Sequence, residues 1–345
     1  MKKMLPPKGP GDNGLSLLPY EAVKWELIKA ALELGVFNQF DEPLTAGTLA
    51  ERLGTQPENT EFMLNSLTAM GCLTKCKGVF EMTPMARAYL DPASEQCIGP
   101  MLLFMERWTK PMMNGGMINL ICDGPPPAAN AGREEIWEQG ARLSINNARA
   151  GRAQIIAGHV SALAEFSSFS NMLDLGGGPG MIAVAVLASH PSLKCTIMEQ
   201  PAVCRVAEEL IAEYGMESRI KTLSGDYMED PMGEGFDFIM ANYTLNFYRD
   251  RMDELMAKIY KALNPGGVLL VTSDGLNEEK TAPAQSVITW LSTALQGMDM
   301  SFDRGFLADA MIKAGFISTQ SSMVADLTIA AHGPMDVIVA RKGRN

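Results

Sequence analysis

Apolar residues at helical spacing dominate the first part of the chain. Residues three and four apart lie on one face of a helix, so this spacing predicts a series of amphipathic helices. Each predicted helix is followed by a glycine, a residue that commonly ends helices. The predicted elements are three helices, over residues 18–34, within 44–54 and over 59–70, and a hairpin of two strands, Cys72–Lys75 and Val79–Met82. Together they predict a winged-helix unit over residues 15–95, after a flexible N-terminus at residues 1–14.

The helical pattern continues through residues 84–170. A Gly- and Pro-rich stretch, Cys122–Gly132, interrupts it, because these residues break helices. A long helix is then predicted from Glu134 towards Leu163. We expect residues 96–165 to connect the two domains and to form the roof of a pocket.

From Asn171 onward, short apolar segments alternate with amphipathic ones. Strands and helices that alternate at this spacing predict a mainly parallel sheet with helices on both faces, the α/β class. Residues 166–345 therefore predict a Rossmann-like domain. Its predicted strands are Met172–Leu175, Leu193–Met198, Ile220–Leu223, Phe236–Ala241, Val268–Ser273, Ile317–Met323 and Asp336–Arg341, and its predicted helices are Met181–Ser189, Ala202–Tyr214 and Met252–Leu263.

Length and charge limit the classes of function. The chain has 345 residues, enough for two domains, and a formal net charge of −11. Binding to nucleic acid requires clustered Lys and Arg, whereas residues 59–67, the helix that would enter the major groove, contain neither. We therefore expect no nucleic-acid partner and assign dimerisation to the winged-helix unit.

The sequence also lacks the patterns of membrane and metal-binding proteins. No apolar run approaches the roughly 20 residues of a membrane span, and no signal peptide is evident. The six cysteines form no Cys-x-x-Cys pair, and the three histidines are far apart. These features predict reduced thiols, no metal site, no membrane partner and a cytoplasmic location.

A glycine-rich segment follows the first strand of the α/β domain. Asp174 lies near the end of that strand, and Gly176, Gly178 and Gly180 open the next helix. Glycines allow a ligand to approach the backbone closely, and a helix N-terminus offers free N–H groups. Met181 stands where a dinucleotide fingerprint has its last glycine, and there is no Gly-Lys-Ser or Gly-Lys-Thr sequence for a Walker loop.

Acidic residues follow the next two strands. Glu199 ends the second strand, where a carboxylate can accept hydrogen bonds from both hydroxyls of a ribose, although nicotinamide sites share this feature. Asp226 follows the third strand and can accept a hydrogen bond from an adenine amino group, with Tyr227 or Met228 covering the ring. Ligands of open α/β sheets bind at the carboxyl ends of the strands, so these segments predict one site for an adenosine-containing ligand.

In combination, these segments resemble the two-domain small-molecule S-adenosylmethionine-dependent O-methyltransferases of the caffeate, acetylserotonin and polyketide-tailoring types. The resemblance extends from about Leu18 to Lys342. It rests on the motifs Ala31–Phe37, Leu49–Gly54, Met82–Pro84, Leu173–Gly180, Glu199–Pro201, Gly225–Tyr227, Leu263–Gly267 and Ala314–Phe316. It implies S-adenosylmethionine as cofactor, an intertwined homodimer, a seven-stranded sheet with one reversed strand, and a pocket for a small-molecule acceptor under the helical region.

The resemblance also implies roles for individual residues. The cofactor-binding residues that we expect are Asp174, Gly176, Gly178, Glu199, Gln200, Asp226, Tyr227, Met228 and Asn242. Arg149 is expected to approach the carboxylate at the methionine end of the cofactor.

The chain departs from the family at the catalytic position. Many members have a general-base His where this chain has Asn246, and Asn cannot accept a proton at neutral pH. Anthracycline-tailoring relatives resemble this chain in having Leu-Asn here, which implies catalysis mainly by proximity, an effect of several kcal/mol. Asn246 and Tyr243 are the candidate catalytic residues. Other groups that can serve as a base are Tyr248, Asp274, Asp299, Asp303 and His332.

O-methylation of an aromatic or heterocyclic acceptor is the first expectation. Eight apolar residues are expected to form the pocket roof: Phe104, Met105, Trp108, Met112, Met113, Trp290, Met298 and Phe302. Such walls suit an aromatic acceptor. The alternatives are methylation of sulfur, nitrogen or carbon, a cofactor-binding relative that transfers no methyl group, a nicotinamide-dependent oxidoreductase, and a winged-helix regulator.

Overall fold

The computed structural model describes residue 11 and residues 13–127, 133–324 and 334–344. They form two compact units, and the division falls between Gly99 and Pro100. Most of residues 1–14, predicted to be flexible, lie outside the described residues. Within those ranges, no helix has the length and apolar character needed to cross a lipid bilayer.

The first unit is built from short helices and a small antiparallel sheet. Its helices are α1 (Leu18–Glu33), α2 (Ala46–Leu53), α3 (Pro57–Ala69) and α4 (Pro84–Tyr89). Its strands are β1 (Leu44–Thr45), β2 (Leu73–Cys76) and β3 (Val79–Met82), in the order β1-β3-β2. The three helices and the hairpin predicted from the sequence are confirmed.

Local sequence signals set the ends of these elements. The hydroxyl of Thr45 accepts a hydrogen bond from the backbone N–H of Thr48 at 3.2 Å and so caps the start of α2. Gly54 ends α2 in the left-handed conformation, with φ 66°. Lys77 and Gly78 turn the chain between β2 and β3 with φ of 49° and 81°, as expected for a two-residue hairpin loop.

The second unit is an α/β domain preceded by helices. Its helices are α5 (Gly99–Thr109), α6 (Gly116–Asp123), α7 (Arg133–Asn147), α8 (Ala153–Ser161), α9 (Met181–Ala188), α10 (Pro201–Glu213), α11 (Met252–Ala262), α12 (Ala284–Leu295) and α13 (Phe306–Ala314). Its strands are β4 (Asn171–Leu175), β5 (Lys194–Glu199), β6 (Ile220–Ser224), β7 (Phe236–Asn242), β8 (Leu263–Ser273), β9 (Gly275–Leu276), β10 (Phe302–Asp303), β11 (Ser318–Val324) and β12 (Met335–Arg341).

Seven strands form one sheet, in the order β11-β12-β8-β7-β4-β5-β6. The strands from β8 to β6 in this order are parallel, whereas β12 pairs antiparallel with both β8 and β11. The predicted parallel sheet with one reversed strand is confirmed. The short strands β9 and β10 form a separate parallel pair, which was not predicted.

Alternate residues of the central strands pack on opposite faces of the sheet. Met172 and Phe238 belong to a core that includes residues of α8, α9 and α10, whereas Leu173 and Ile239 belong to one that includes α11 and α13. Both faces of these strands are therefore buried, which explains their nearly continuous apolar sequences.

The prediction of one continuous helix from Glu134 towards Leu163 is wrong in the middle of that range. α7 ends at Asn147, a π-helical segment follows over Ala148–Arg152, and α8 begins at Ala153. Gly151 has φ 139°, which side-chain-bearing residues rarely adopt. The resulting kink separates α7 from α8.

Candidate functional site

A cavity of about 1010 Å³ lies within the second unit, beside the carboxyl ends of β4, β5 and β7. One side consists of polar residues that follow the strands, and the other of apolar residues from α5, α7 and the segment after β7. The polar side includes Gly176, Gly178, Glu199, Gln200, Asp226, Tyr227 and Asn242, and the apolar side includes Met101, Phe104, Trp108, Ile136, Trp137 and Phe247. The cavity thus brings together seven of the residues predicted from the sequence to bind the cofactor.

Glycines are required in the loop after β4. A Cβ atom on Gly176 would lie 1.9 Å from the hydroxyl oxygen of Thr244, and one on Gly177 would lie 2.6 Å from the carboxyl group of Asp174. Gly178 has φ 56° and would have no atom within 4 Å of its Cβ, and it lines the cavity. The loop therefore packs closely on its inner side and leaves a bare backbone towards the cavity, where a ligand can approach it.

Asp174 lies beneath this loop and not on the cavity wall. Its side chain is fully buried, and neither carboxyl oxygen has a hydrogen-bond partner among the described residues. Burial, aided by the negative charge of Glu199, raises the pKa of Asp174 to about 8. A buried carboxyl group without a partner is costly, so this position favours a cationic or hydrogen-bonding ligand just above the loop.

Glu199 is fixed by the backbone on both sides of its carboxylate. Oε1 accepts a hydrogen bond from the N–H of Gly178 at 3.1 Å, and Oε2 accepts one from the N–H of Gln200 at 2.8 Å. Burial raises the pKa of Glu199, while these two hydrogen bonds oppose the shift. Each oxygen keeps acceptor capacity for a ligand, as recognition of a diol requires.

The carboxylate of Asp226 accepts one hydrogen bond within its own loop and one from the segment after β7. Oδ1 accepts from the N–H of Met228 at 2.8 Å, and Oδ2 accepts from the hydroxyl of Tyr248 at 2.5 Å. Tyr227 also lines the cavity, and its hydroxyl donates to the carbonyl oxygen of Thr244 at 2.7 Å. Met228 is buried in the core and is not among the residues that line the cavity, so of the two residues predicted to cover a ligand ring only Tyr227 lies on the wall.

Lys258 holds the same loop and was not anticipated from the sequence. Its ammonium group donates to the carbonyl oxygens of Tyr227 at 2.8 Å, Met228 at 2.6 Å and Asp230 at 3.0 Å. Hydrogen bonds from charged donors are stronger than neutral ones. Lys258 therefore fixes the backbone that carries Asp226 and Tyr227.

Arg152, and not Arg149, reaches the cavity. Arg149 donates to the hydroxyl of Tyr214 at 3.0 Å, pairs with Glu213 and is not among the lining residues. Arg152 lines the cavity with its guanidinium 4.8 Å from the ring centroid of Tyr243, and its Nε has no partner within the described ranges. The kink at Gly151 separates the directions of the two arginines, which a regular helix would not have done.

Tyr243 lies on the cavity wall, whereas Asn246 lies behind it. Asn246 is buried, and its Nδ2 donates to the carbonyl oxygen of Met300. Tyr243 donates its hydroxyl to Oδ1 of Asp274 at 2.8 Å, and burial raises its pKa above the ordinary value for tyrosine. Of the two candidate catalytic residues, Tyr243 is thus on the cavity wall, whereas the amide of Asn246 is held by Met300 away from it.

The remaining candidate bases have other partners. Tyr248 donates to Asp226, Asp299 pairs with Arg249, and Asp303 lies 3.7 Å from Lys280. His332 lies outside the described residues. Of the eight residues predicted to form the roof, only Phe104 and Trp108 line the cavity.

The apolar wall contains residues that the sequence did not single out. Trp137 of α7 and Phe247 pack edge to face, with ring centroids 5.3 Å apart, and both line the cavity. Each is also partly exposed, at 42% and 47%. Partly exposed aromatic rings on the wall of a cavity are an indication of ligand contact that becomes visible only in three dimensions.

Comparison with known families agrees with this site. Residues 134–316 match the O-methyltransferase domain, and residues 20–92 match the O-methyltransferase dimerisation domain. The first match spans more than half of the chain, and the chain therefore belongs to the O-methyltransferase family.

Individual relatives are distant but cover most of the chain. A 3-hydroxy-5-methyl-1-naphthoate 3-O-methyltransferase of Streptomyces sahachiroi is 27% identical over 77% of this chain and 78% of its own. The N,N-dimethyltransferase OxyT of Streptomyces rimosus is 25% identical over 79% and 81%. Human N-acetylserotonin methyltransferase, solved in complex with S-adenosylmethionine, superposes with a TM-score of 0.78 at 22% identity over 97% and 99%, which shows a shared fold.

These comparisons confirm the family and the enzyme class predicted from the sequence. The protein is a methyltransferase with a mixed α/β domain and a helical N-terminal dimerisation domain. The family does not specify the acceptor.

Proposed function

We propose that this enzyme transfers the methyl group of S-adenosylmethionine to a hydroxyl group of a small aromatic or heterocyclic acceptor. S-adenosylmethionine is the methyl donor. The observation that carries the proposal is the two-sided cavity, in which a polar side built on the glycine loop faces an apolar side built on α5 and α7. Such a cavity can hold a polar cofactor and an apolar acceptor together.

The polar side fits S-adenosylmethionine group by group. Glu199 suits the ribose hydroxyls, and Asp226 with Tyr227 suits the adenine ring. Asp174, which lacks a partner beneath the loop, suits the positively charged amino group, and Arg152 suits the carboxylate. When bound, the cofactor supplies a methyl group on a positively charged sulfur, which a nucleophilic oxygen can attack.

The apolar side supports a flat acceptor. Phe104, Trp108, Trp137 and Phe247 offer aromatic surfaces, which stack well with aromatic ligands. Relatives named for a hydroxynaphthoate and for N-acetylserotonin act on aromatic compounds that fit the same description.

Catalysis is proposed to rest mainly on proximity and orientation. Asn246 replaces the usual His and is engaged by Met300, so it is not a general base. Holding an acceptor oxygen next to the methyl group removes much of the entropic barrier of a bimolecular reaction. An amine acceptor is the second candidate, because a relative of similar coverage is an N,N-dimethyltransferase.

We also propose a homodimer formed through the first unit, in the cytoplasm. That unit matches a dimerisation domain and exposes apolar side chains on α1 and α3. They include Leu18, Tyr20, Val23 and Phe62, each about 60% exposed. Exposed apolar patches of this kind commonly mark protein interfaces, and light scattering of the purified protein would give the number of chains.

Product analysis tests the proposed reaction. The enzyme is incubated with S-adenosylmethionine carrying a deuterated methyl group and with a panel of hydroxynaphthoates, hydroxyindoles and aminoarenes. We expect labelled methyl ethers. Labelled amines alone would instead establish the second candidate, and no labelled product from any member of the panel would contradict an aromatic acceptor.

A further inference from the structure

Tyr243 links the cavity wall to a buried carboxyl group. It follows the end of β7 with φ 50°, and its N–H donates to the carbonyl oxygen of Thr272 at 3.0 Å. Its hydroxyl donates to Oδ1 of Asp274 at 2.8 Å. A tyrosine held in a left-handed conformation is uncommon and strained, so its position is determined by its surroundings.

Asp274 has no direct access to the cavity in the structure. It follows β8, is fully buried, and is not among the residues that line the cavity. Its second oxygen, Oδ2, accepts a hydrogen bond from the indole N–H of Trp290 at 2.7 Å. Tyr243 thus both lines the cavity and hydrogen-bonds this buried carboxyl group.

Burial and the neighbouring charges bring the pKa of Asp274 close to neutral pH. Burial raises the pKa of Asp274 to about 6, while hydrogen bonds from Tyr243 and Trp290 and the positive charge of Arg152 oppose the shift. Asp336 of β12 raises the pKa further through its negative charge, and its own pKa is raised by burial and lowered by Arg304. A carboxylate of this kind is ionised at neutral pH and basic enough to accept a proton.

We propose that Tyr243 and Asp274 form a proton relay that accepts the proton of the acceptor hydroxyl. This inference rests on the proposed O-methyltransferase function. It adds a route for the proton, which proximity alone does not provide, and it replaces the function of the missing histidine by different residues at the ends of β7 and β8.

The relay balances in protons and electrons. The acceptor hydroxyl gives its proton to Oη of Tyr243, and Tyr243 gives its own proton to Oδ1 of Asp274. The electrons of the broken O–H bond remain on the acceptor oxygen, which forms the new bond to the methyl carbon, while the electrons of the old carbon–sulfur bond remain on sulfur. Tyr243 stays neutral throughout, and Asp274 returns its proton through Tyr243 to solvent after product release.

Two variants and two matched controls test the relay. Asp274→Asn and Tyr243→Phe remove its two members, and Asp253→Asn and Tyr260→Phe make the same chemical changes outside the site. Asp253 pairs with Lys313 on the surface, and Tyr260 packs on Phe316. The probes are substituted 2-naphthols and hydroxynaphthoates that differ in the pKa of their hydroxyl group.

The relay predicts a dependence on acceptor acidity. With weakly acidic naphthols, kcat/KM falls about 10²-fold in Asp274→Asn and Tyr243→Phe, and it falls much less with strongly acidic ones, which ionise without help. The controls match the wild type. An equal loss for all acceptors, or no loss, would overturn the relay while leaving methyl transfer intact. If the wild type binds S-adenosylhomocysteine but methylates no hydroxyl group, the relay and the proposed acceptor both fail.

A second measurement requires neither cofactor nor acceptor. Infrared difference spectra between about pH 5 and about pH 7.5 detect carboxyl groups that become protonated in that range. The wild type should show a carboxylic acid band that Asp274→Asn lacks, and its midpoint should move to higher pH in Tyr243→Phe, because the tyrosine hydrogen bond lowers the pKa of Asp274. A spectrum unchanged in both variants would contradict the role of Asp274 as proton acceptor.

Discussion

The hydroxyl group of Tyr248 donates a hydrogen bond of 2.5 Å to Oδ2 of Asp226, across the cofactor side of the cavity. Tyr248 comes from the segment after β7, whereas Asp226 comes from the loop after β6. The segment that contains the candidate catalytic residues Tyr243 and Asn246 is thus bonded directly to the residue proposed to recognise adenine.

Tyr248→Phe should weaken binding of S-adenosylhomocysteine about threefold to tenfold. The variant removes one hydrogen bond to a carboxylate, and such bonds contribute on the order of 1–2 kcal/mol. Calorimetric titration measures the change in affinity. Tyr260→Phe, which is the same substitution away from the cavity, should bind with wild-type affinity. Equal affinities for all three proteins would show that Tyr248 does not orient Asp226.

Lys258→Met should lower cofactor affinity through the loop. Its ammonium group contacts three carbonyl oxygens around Asp226, so its loss should weaken S-adenosylhomocysteine binding about tenfold and destabilise the fold by about 2 kcal/mol. Lys261, on the same helix, forms only an exposed pair with Glu234, and such pairs contribute little. Lys261→Met is the matched control. A Lys258→Met variant with reduced stability but unchanged affinity would restrict Lys258 to a structural role.

Arg152→Met and Arg149→Met separate the two candidate partners of the cofactor carboxylate. Arg152→Met should bind S-adenosylmethionine about 10²-fold more weakly, because a buried charge-assisted contact is lost. It should bind 5′-methylthioadenosine, which lacks the amino acid part, with unchanged affinity. Arg149→Met should match the wild type with both ligands. The reverse pattern would restore Arg149 to the role expected from the sequence.

Binding of S-adenosylhomocysteine should release a proton from Asp174. The pKa of Asp174 is about 8, so the carboxyl group is mainly protonated at pH 7, and a cationic amino group above the loop favours its ionised form. Calorimetry in buffers of different ionisation enthalpy should give a release approaching one proton near pH 7. Asp174→Asn should release none, and an equal release from both proteins would contradict this assignment.

The raised pKa of Asp174 also makes the free energy of unfolding depend on pH. The pKa of Asp174 is higher in the folded protein than in the unfolded chain, so the folded state binds more protons between about pH 4 and about pH 8. The free energy of unfolding therefore decreases as the pH rises through this window. Denaturant titrations should show a smaller decrease for Asp174→Asn. A decrease that is steeper in Asp174→Asn than in the wild type would contradict the raised pKa of Asp174.

Local patterns in the sequence predicted the elements and the polar half of the site. The buried strands have nearly continuous apolar sequences, and parallel strands bring their carboxyl ends to one edge. Glu199 and Asp226, which were predicted by counting from strand ends, both line the cavity. The glycine loop was also predicted from the sequence. In the structure Gly176 and Gly178 both have positive φ, a conformation that favours glycine.

The features of the site that the sequence did not predict depend on backbone geometry and on contacts between distant segments. The resemblance implied Arg149, on a helix predicted to continue through Gly151, where the structure has a kink. Asn246 is held by Met300, 54 residues further along the chain, and Lys258 reaches a loop about 30 residues before it. No periodicity of the sequence encodes such pairings.

Calorimetric titration of the purified protein with S-adenosylmethionine and S-adenosylhomocysteine tests the central claim most directly. Glu199→Ala serves as the site variant, and Glu234→Ala, in the exposed pair with Lys261, serves as its control. We predict micromolar binding by the wild type and the control, and loss of binding in Glu199→Ala because the ribose hydroxyls lose their acceptor. Absence of binding to the well-folded wild type, or unchanged binding by Glu199→Ala, would contradict a cofactor site at the carboxyl ends of β4 and β5.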